Sequence, residues 1–212
     1  KPQNIQLFQP RIVTAPGTDE VYVVWHSGFN TFHKRYHLLT DIFFSRSTDN
    51  GVTFENPISL TNYSVWAKST DNEAPFENPI SLSGYSGWVL DPQIAISQDN
   101  NIYVAWQNNP QGGNGSIVFT RSMDNGETFE NPVTISDTNG NSVNSRVAIS
   151  ADNNVYLVWD NNATGNEEII LHKISSKTVP VSSSNLIYND SDLQNRTGIS
   201  ALINNSKRIA LV

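Results

Sequence analysis

Short apolar runs alternate with polar turns along most of the chain, and this pattern predicts β-strands rather than helices. Residues 94–106 form two such runs around a polar turn and end in Trp106; the same unit recurs at residues 147–159, 53 positions later, and ends in Trp159. An earlier relative of this unit occupies residues 11–25 and ends in Trp25. Internal repeats with periods of about 40–50 residues are typical of β-propeller blades. The pattern therefore predicts an all-β fold built from repeated four-stranded units.

A second motif, Ser-x-Asp-x-Gly-x-Thr-Phe, lies between the apolar units and is followed each time by Glu-Asn-Pro. It occurs twice in full, and a damaged copy without the glycine occupies residues 69–76. Its chemistry predicts a hairpin turn, because the carboxylate accepts backbone N–H bonds, glycine supplies a positive φ, and the aromatic side chain returns to the core. The motif residues are Ser47, Asp49, Gly51, Thr53 and Phe54 in the first copy, and Ser122, Asp124, Gly126, Thr128 and Phe129 in the second.

The motif resembles the Asp box, or bacterial neuraminidase repeat, of sialidases and related β-propellers. The resemblance implies sialidase-like blades of four strands, which we label A to D, with the box between strands C and D. In that family the box lies away from the active site. The resemblance therefore implies a structural element and not a site.

The repeats divide the chain into about three and a half blades of one β-propeller domain, residues 1–212. Because fewer than four blades is below the usual number for a propeller, we expect a fragment of a larger ring. Residues 1–9 resemble a D strand and are expected to supply the outer strand of the last blade. The blades are predicted at residues 10–90, 91–140, 145–192 and 197–212 plus 1–9.

The first blade contains a duplication. Residues 45–66 and 67–88 are identical at 14 of 22 positions. The blade is therefore expected to hold two C–D hairpins in series, one of which is an insertion, and both remain candidates for the blade's own hairpin. The third blade has lost its box, since Lys177 stands at the aspartate position.

Alternation of strand direction assigns each loop to one of two ends. The A–B turns and the Asp boxes share one end, which we call the box face. The B–C loops and the D-to-A connections share the other, which we call the loop face, and binding is expected there. On this face, residues 26–41 form the segment richest in histidine, aromatic and basic side chains. The candidate ligand-binding residues are His33, Arg35, Tyr36, His37, Tyr85 and Trp88.

Three interpretations of this segment stay open. It can be a loop covered by stacked rings, a carbohydrate site that pairs aromatic platforms with planar polar groups, or a metal site using His33 and His37 with His26 or Asp41. No metal or other cofactor is predicted as the first choice. A calcium alternative rests on residues 137–141, which have the oxygen spacing of a calcium loop but lack its later glycine and glutamate.

The composition and net charge of the chain limit the classes of partner that it is expected to bind. The net charge of −7 argues against nucleic acid and anionic membranes. There are no cysteines, so disulfides and thiolate chemistry are excluded. No apolar run approaches the roughly 18 residues of a membrane span. We expect an extracellular or cell-surface domain whose partner is a glycan or an extracellular protein, with self-association through the incomplete blade as a further option.

The sialidase resemblance implies a catalytic set of three arginines, a Tyr–Glu pair and an aspartate, but that set does not carry over. The family's Phe-Arg-Ile-Pro signature has no match, and Arg11 and Arg146 occupy regular A-strand positions. We therefore predict a non-catalytic propeller that binds glycan or protein through the loop face. The alternatives are an exo-sialidase-type glycoside hydrolase with catalytic residues partly outside this chain, and a structural module that assembles by strand complementation.

Overall fold

The computed structural model describes residues 5–29, 40–61, 87–110, 113–136, 139–163, 165–174, 184–190, 201–203 and 209–211. Within these ranges the chain contains fourteen strands and no helix, and accordingly no helix that could cross a membrane. The first blade comprises β1 (Ile5–Thr14), β2 (Val21–Phe29), β3 (Asp41–Ser47) and β4 (Ile58–Ser59). The second comprises β5 (Gly87–Ile96), β6 (Ile102–Pro110), β7 (Ser116–Ser122) and β8 (Val133–Thr134). The third comprises β9 (Ser142–Ile149), β10 (Val155–Asn161), β11 (Glu167–Ile174) and β12 (Ser184–Asp190), followed by a hairpin of β13 (Ala201–Ile203) and β14 (Ile209–Leu211).

Each blade is a four-stranded antiparallel meander in which sequence neighbours pair. Strands β1, β5 and β9 contact one another in succession, and β13 contacts β9, so the first strands of the blades form the inner edge. This arrangement is a β-propeller and confirms the predicted all-β fold class. The outer strand of the third blade is β12, which pairs with β11.

Two segments pair differently from the sequence expectation. Ile5–Phe8 was expected to supply the outer strand of the last blade, but these residues extend β1 and pair with Phe29–His26 of β2. The reason is that β2 continues four residues beyond Trp25 and offers them a partner. In the second blade the first strand already begins at Gly87, four residues before the predicted boundary.

The first of the duplicated hairpins belongs to the first blade. Phe43 and Phe44 of β3 pair with Ser59 and Ile58 of β4, which lie in the copy at residues 45–66. The second copy lies outside the described residues up to position 86, and its last two residues form the start of β5.

Successive blades pack through two different sheet faces. One face, which we call the Tyr face, carries the tyrosine near the start of strand B and its cross-strand partners; the opposite face, the Trp face, carries the tryptophan that ends the predicted unit. The Tyr face of the first blade forms one core with the Trp face of the second. The Tyr face of the second blade forms the next core with the Trp face of the third. The first core includes Tyr22, Val24, Ile42 and Phe44 from one side, and Ile94, Val104, Trp106 and Val118 from the other.

The two complete Asp boxes have the same internal hydrogen bonds. In the first, Ser47 Oγ donates to Asp49 Oδ1 over 2.7 Å, and the Thr53 backbone N–H donates to the same oxygen over 2.8 Å. The second box repeats these bonds at Asp124, at 2.6 and 2.9 Å. These donors stabilise the ionised form of each carboxyl group. They lower the pKa of Asp49 to about 2, mainly through Thr53, and the pKa of Asp124 to about 2, mainly through Ser122. Gly51 and Gly126 have φ of 82° and 86°, a conformation that side chains disfavour.

The box of the second blade is seated on the first blade. Phe129 meets Phe44 edge-on with ring centroids 4.9 Å apart, and Arg46 Nη1 donates to the Asn125 carbonyl over 3.0 Å. Phe54 of the first box, by contrast, is 46% exposed. The expectation that the box aromatic returns to the core therefore fails at Phe54, because that core belongs to the preceding blade and not to the box's own.

Loss of the box changes the interior of the third blade. At one register position the first two blades carry Ser45 and Thr120, whose hydroxyls donate to the carbonyls of Glu55 and Glu130 just after the box. The third blade carries His172 there. His172 is buried beside Trp159, and neither ring nitrogen has a hydrogen-bond partner among the described residues. Burial lowers its pKa, so the imidazole is neutral at pH 7.

Candidate functional site

Three β-bulges lie at the same position of strand A in the three blades. The bulge residues have left-handed backbones, with φ of 48° at Gln9, 47° at Asp91 and 57° at Asn144. The strand pairing shifts register at each of these points. A bulge adds one residue to a strand and re-aims its side chains, and a left-handed residue other than glycine costs roughly 1–3 kcal/mol. The bulges lie in the first half of each strand A, towards the loop face where binding is expected, and we take them as the candidate site.

The side chains at the bulges converge on Asp91. Its Oδ1 accepts a hydrogen bond of 3.0 Å from Arg11 Nη2 of the first blade, and its Oδ2 accepts one of 2.9 Å from Arg146 Nη1 of the third. Gln93 Nε2 also donates to Oδ1 at 3.0 Å, and the Asp91 backbone N–H donates to Gln9 Oε1 at 2.8 Å. One carboxylate thus joins the inner strands of three consecutive blades. We call Gln9, Arg11, Asp91, Gln93 and Arg146 the bulge cluster.

The bulge cluster carries net positive charge and is partly accessible. Two guanidiniums and one carboxylate leave a charge of +1 in a chain whose overall charge is −7. The Arg11 and Arg146 side chains are 37% and 28% exposed, while that of Asp91 is 14% exposed. Each arginine also donates to a neighbouring backbone carbonyl, Pro10 or Ser145. Their other N–H groups have no acceptor among the described residues, so they can bind ligand oxygens.

A buried histidine lies next to the cluster on the side of the loop face. His26 stacks on Phe8 with ring centroids 5.2 Å apart, and its Nδ1 has no hydrogen-bond partner in the part of the chain that the structure describes. Gly28 leaves room for this stack, since a Cβ there would lie 3.3 Å from the Phe8 ring. Burial lowers the pKa of His26, while the hydrogen bond to the Ser27 backbone and the charge of Asp91 act in the opposite direction. The imidazole is therefore neutral at pH 7 and able to accept or donate one hydrogen bond.

Of the predicted ligand-binding residues, only Trp88 lies in the described part of the chain. It is on β5, three residues before Asp91, pairs with Asn109 and is 49% exposed. It is thus an accessible aromatic side chain near the bulge cluster in sequence and on the same strand. The other five predicted residues, His33, Arg35, Tyr36, His37 and Tyr85, lie outside the described residues.

His33 and His37 of the metal alternative lie outside the described residues. The described residues contain no group of three side chains able to hold a metal ion. For the calcium alternative, Asp137 and Thr138 lie outside those residues, and Asn141 Oδ1 already accepts the Gly115 backbone N–H over 2.7 Å.

The sequence patterns did not predict the bulge cluster. Arg11 and Arg146 were assigned to regular strand A positions, and they do lie on β1 and β9. One feature of the sequence could have indicated the cluster: a polar residue interrupts strand A at the same aligned position in each blade. These residues are Gln9, Asp91 and Asn144, and each is followed two positions later by a long side chain with a planar polar group. Those side chains are Arg11, Gln93 and Arg146.

Comparison with known proteins supports the fold. No family model and no curated protein matches the sequence. Among solved structures, a Dyadobacter fermentans protein of unknown function aligns with 97% of this chain and 56% of its own, at 14% identity and a TM-score of 0.57. An ulvan lyase of polysaccharide lyase family 25, bound to a GlcA(1-4)Rha3S saccharide, aligns with 91% of this chain and 46% of its own, at 10% identity and 0.56. The NanB sialidase of Streptococcus pneumoniae aligns with 93% of this chain and 46% of its own, at 12% identity and 0.53. The chain spans about half the length of these structures, and the likeness shows a shared propeller fold.

Proposed function

We propose that this protein is a non-catalytic, extracellular or cell-surface propeller of the Asp-box type that binds carbohydrate on its loop face, around the bulge cluster. The observation that carries the proposal is the convergence of Arg11, Asp91 and Arg146 from three blades. Ligand sites combine a few fixed polar groups with apolar or aromatic surface. The cluster supplies the polar groups on rigid inner strands.

The chemistry of the cluster favours a saccharide. Guanidinium groups are planar, carry several donors in fixed geometry and bind paired oxygen atoms. Trp88 adds an exposed indole on the same strand as Asp91, and such a surface suits the apolar face of a sugar ring. Two of the solved propellers of similar fold are, by their descriptions, a lyase bound to a saccharide and a sialidase. This likeness is one of fold and adds only an analogy.

The hydrogen bonds that the Asp91 carboxylate accepts favour binding over hydrolysis. A carboxylate that serves as nucleophile or general base needs an oxygen free to meet the substrate. Both Asp91 oxygens already accept hydrogen bonds from arginine side chains. The carboxylate therefore serves to hold Arg11 and Arg146 in place rather than to react.

A glycan microarray screened with the whole chain tests the proposal. We expect a signal for one class of glycan, lost in Trp88→Ala and kept in Met123→Ala, a control with the same exposed fraction on the box turn of the second blade. No signal on any glycan, or equal signals from both variants, would contradict carbohydrate binding. Release of the fluorophore from a fluorogenic sialoside, abolished by Arg11→Gln, would instead establish the hydrolase alternative.

A further inference from the structure

Trp88 lies on the side of β5 that is turned towards the third blade. Its cross-strand partner is Asn109 of β6, and paired residues of an antiparallel sheet share a face. Side chains alternate along β6, so Asn109 shares its face with Tyr103 and Ala105, which belong to the core between the second and third blades. Val89, the next residue of β5, is instead buried in the core with the first blade. The exposed indole therefore lies towards the third blade.

The bulge cluster is reached from the same side of β5. Arg146 belongs to the third blade and donates to Asp91 Oδ2, whereas Arg11 approaches Asp91 from the first blade. Trp88 precedes Asp91 by three residues on β5, and three residues of extended strand span about 10 Å. This separation is longer than one pyranose ring. Trp88 and the Arg146–Asp91 pair are thus two distinct contact points along one side of the strand.

The Asn109 amide, on the same face as Trp88, is held in a fixed orientation. Gln107 Nε2 donates to Asn109 Oδ1 over 2.7 Å, and Gln107 is itself only 9% exposed. Gly115 leaves room for the amide, because a Cβ there would lie 2.6 Å from the same oxygen. Asn109 is partly exposed, and its Nδ2 has no acceptor among the described residues. The amide therefore presents a fixed hydrogen-bond donor beside an aromatic surface, the combination expected of a ligand site.

We infer that the site of the proposed function takes an oligosaccharide of at least two sugar residues, lying along the third-blade side of β5. One sugar contacts Arg146 at the bulge cluster. Another stacks on Trp88 and accepts a hydrogen bond from Asn109 Nδ2 through a hydroxyl oxygen. Asn109 is uncharged, so this second sugar is recognised through its hydroxyl groups and its ring, and Asn109 is a specificity-determining residue for it. The inference rests on the proposed function, because it adds a second subsite for the same ligand.

A glycan array on which every oligosaccharide is printed beside the single sugars that compose it tests the inference. The readout is the length preference, the half-maximal binding concentration for the best single sugar divided by that for the oligosaccharide. The native chain should show a length preference of at least tenfold. Equal binding of an oligosaccharide and one of its single sugars would overturn the inference and leave carbohydrate binding in place. Absence of binding to every sugar would contradict carbohydrate binding itself, and the second subsite with it.

Substitutions at Asn109 separate the second subsite from the bulge cluster. Asn109→Ala should reduce the length preference to less than threefold, because binding of the sugar at Arg146 is unaffected. Asn109→Asp keeps the shape of the side chain and the oxygen that Gln107 binds, but it removes the N–H donors. It should therefore reduce the length preference as far as Asn109→Ala does, which a purely structural role of Asn109 would not produce.

Asn108→Ala is the matched control. Asn108 is also a partly exposed amide, but it pairs with Val89 and therefore lies on the opposite face of β6. This variant should keep the native length preference. Circular dichroism checks that each variant is folded, and Asn109→Asp alone decides the test if Asn109→Ala is unfolded. A native length preference in Asn109→Asp, or an equal loss in Asn108→Ala, would overturn the inference.

Discussion

Arg146 in the third blade donates a hydrogen bond of 2.9 Å to the Asp91 carboxylate in the second blade. Arg11 of the first blade binds the other oxygen of the same carboxylate, so the side chain ties three blades together at their inner edge. Apolar packing between blades has no preferred direction, whereas these ion pairs have one. The ion pairs therefore fix how the blades are rotated relative to one another at the candidate site.

Asp91→Asn should destabilise the protein. The substitution keeps the shape of the side chain but removes its charge, which leaves two arginines without their carboxylate. Because the arginines are partly exposed, we expect a loss of about 2 kcal/mol, below the roughly 3–5 kcal/mol of a fully buried pair. Urea unfolding measures it. Asp19→Asn, in the exposed A–B turn, is the control and should change the unfolding free energy by less than about 0.5 kcal/mol. Equal effects at the two positions would mean that Asp91 does not join the blades.

The two box glycines separate backbone strain from packing between blades. Gly51→Ala and Gly126→Ala both place a side chain at a positive φ, which costs about 1–2 kcal/mol. Gly126→Ala also drives a methyl group against the Phe44 ring, and overpacking adds about 1–3 kcal/mol. Thermal or urea unfolding should therefore rank Gly126→Ala as the less stable variant. If the two variants are equally stable, the second box is not seated on the first blade as described.

Acid should destabilise the third blade through His172. Burial lowers the pKa of this imidazole in the folded state below its ordinary value of 6.5, so the unfolded chain binds the proton more readily. Stability is therefore complete above about pH 6.5 and falls as the pH decreases from there towards the lowered pKa of the folded state. The measurement is the unfolding free energy of the native chain and of His172→Leu, a variant of similar volume, at several pH values.

The histidine prediction rests on the difference between those two profiles. His26 is also buried with a lowered pKa and contributes to both of them equally. The difference should shrink or reverse in favour of His172→Leu as the pH falls below 6.5. Parallel profiles across this interval would show that His172 does not titrate with unfolding.

The sequence predicts the blade pattern well for a physical reason. Strands buried on both faces are near-continuous apolar runs, and the turn chemistry of Asp49 and Gly51 is local, so both features are visible in one short segment. The exposure of Phe54 was not predictable in this way. Phe54 and Phe129 stand in the same motif, and Phe129 packs on Phe44 of the preceding blade whereas Phe54 is 46% exposed.

The candidate site was less accessible to sequence reasoning. Gln9, Asp91 and Asn144 look like interruptions of an apolar strand, and nothing local shows that each is a bulge with a left-handed backbone. The ion pairs of Asp91 join residues 80 and 55 positions apart, so they depend on how blades stack. Ile5–Phe8 was assigned to the wrong blade for a similar reason, because a short apolar segment does not show which sheet it will join.

Calorimetric titration of the glycan found by microarray into the native chain and into Arg146→Gln tests the central claim most directly. The variant removes a guanidinium that meets Asp91 and has N–H groups left for a ligand, while the Arg11–Asp91 pair remains. If the bulge cluster binds carbohydrate, Arg146→Gln should weaken the affinity at least tenfold, corresponding to about 1.4 kcal/mol. Lys173→Gln, on the third blade and away from the cluster, should leave the affinity unchanged. Native affinity in Arg146→Gln would contradict the account.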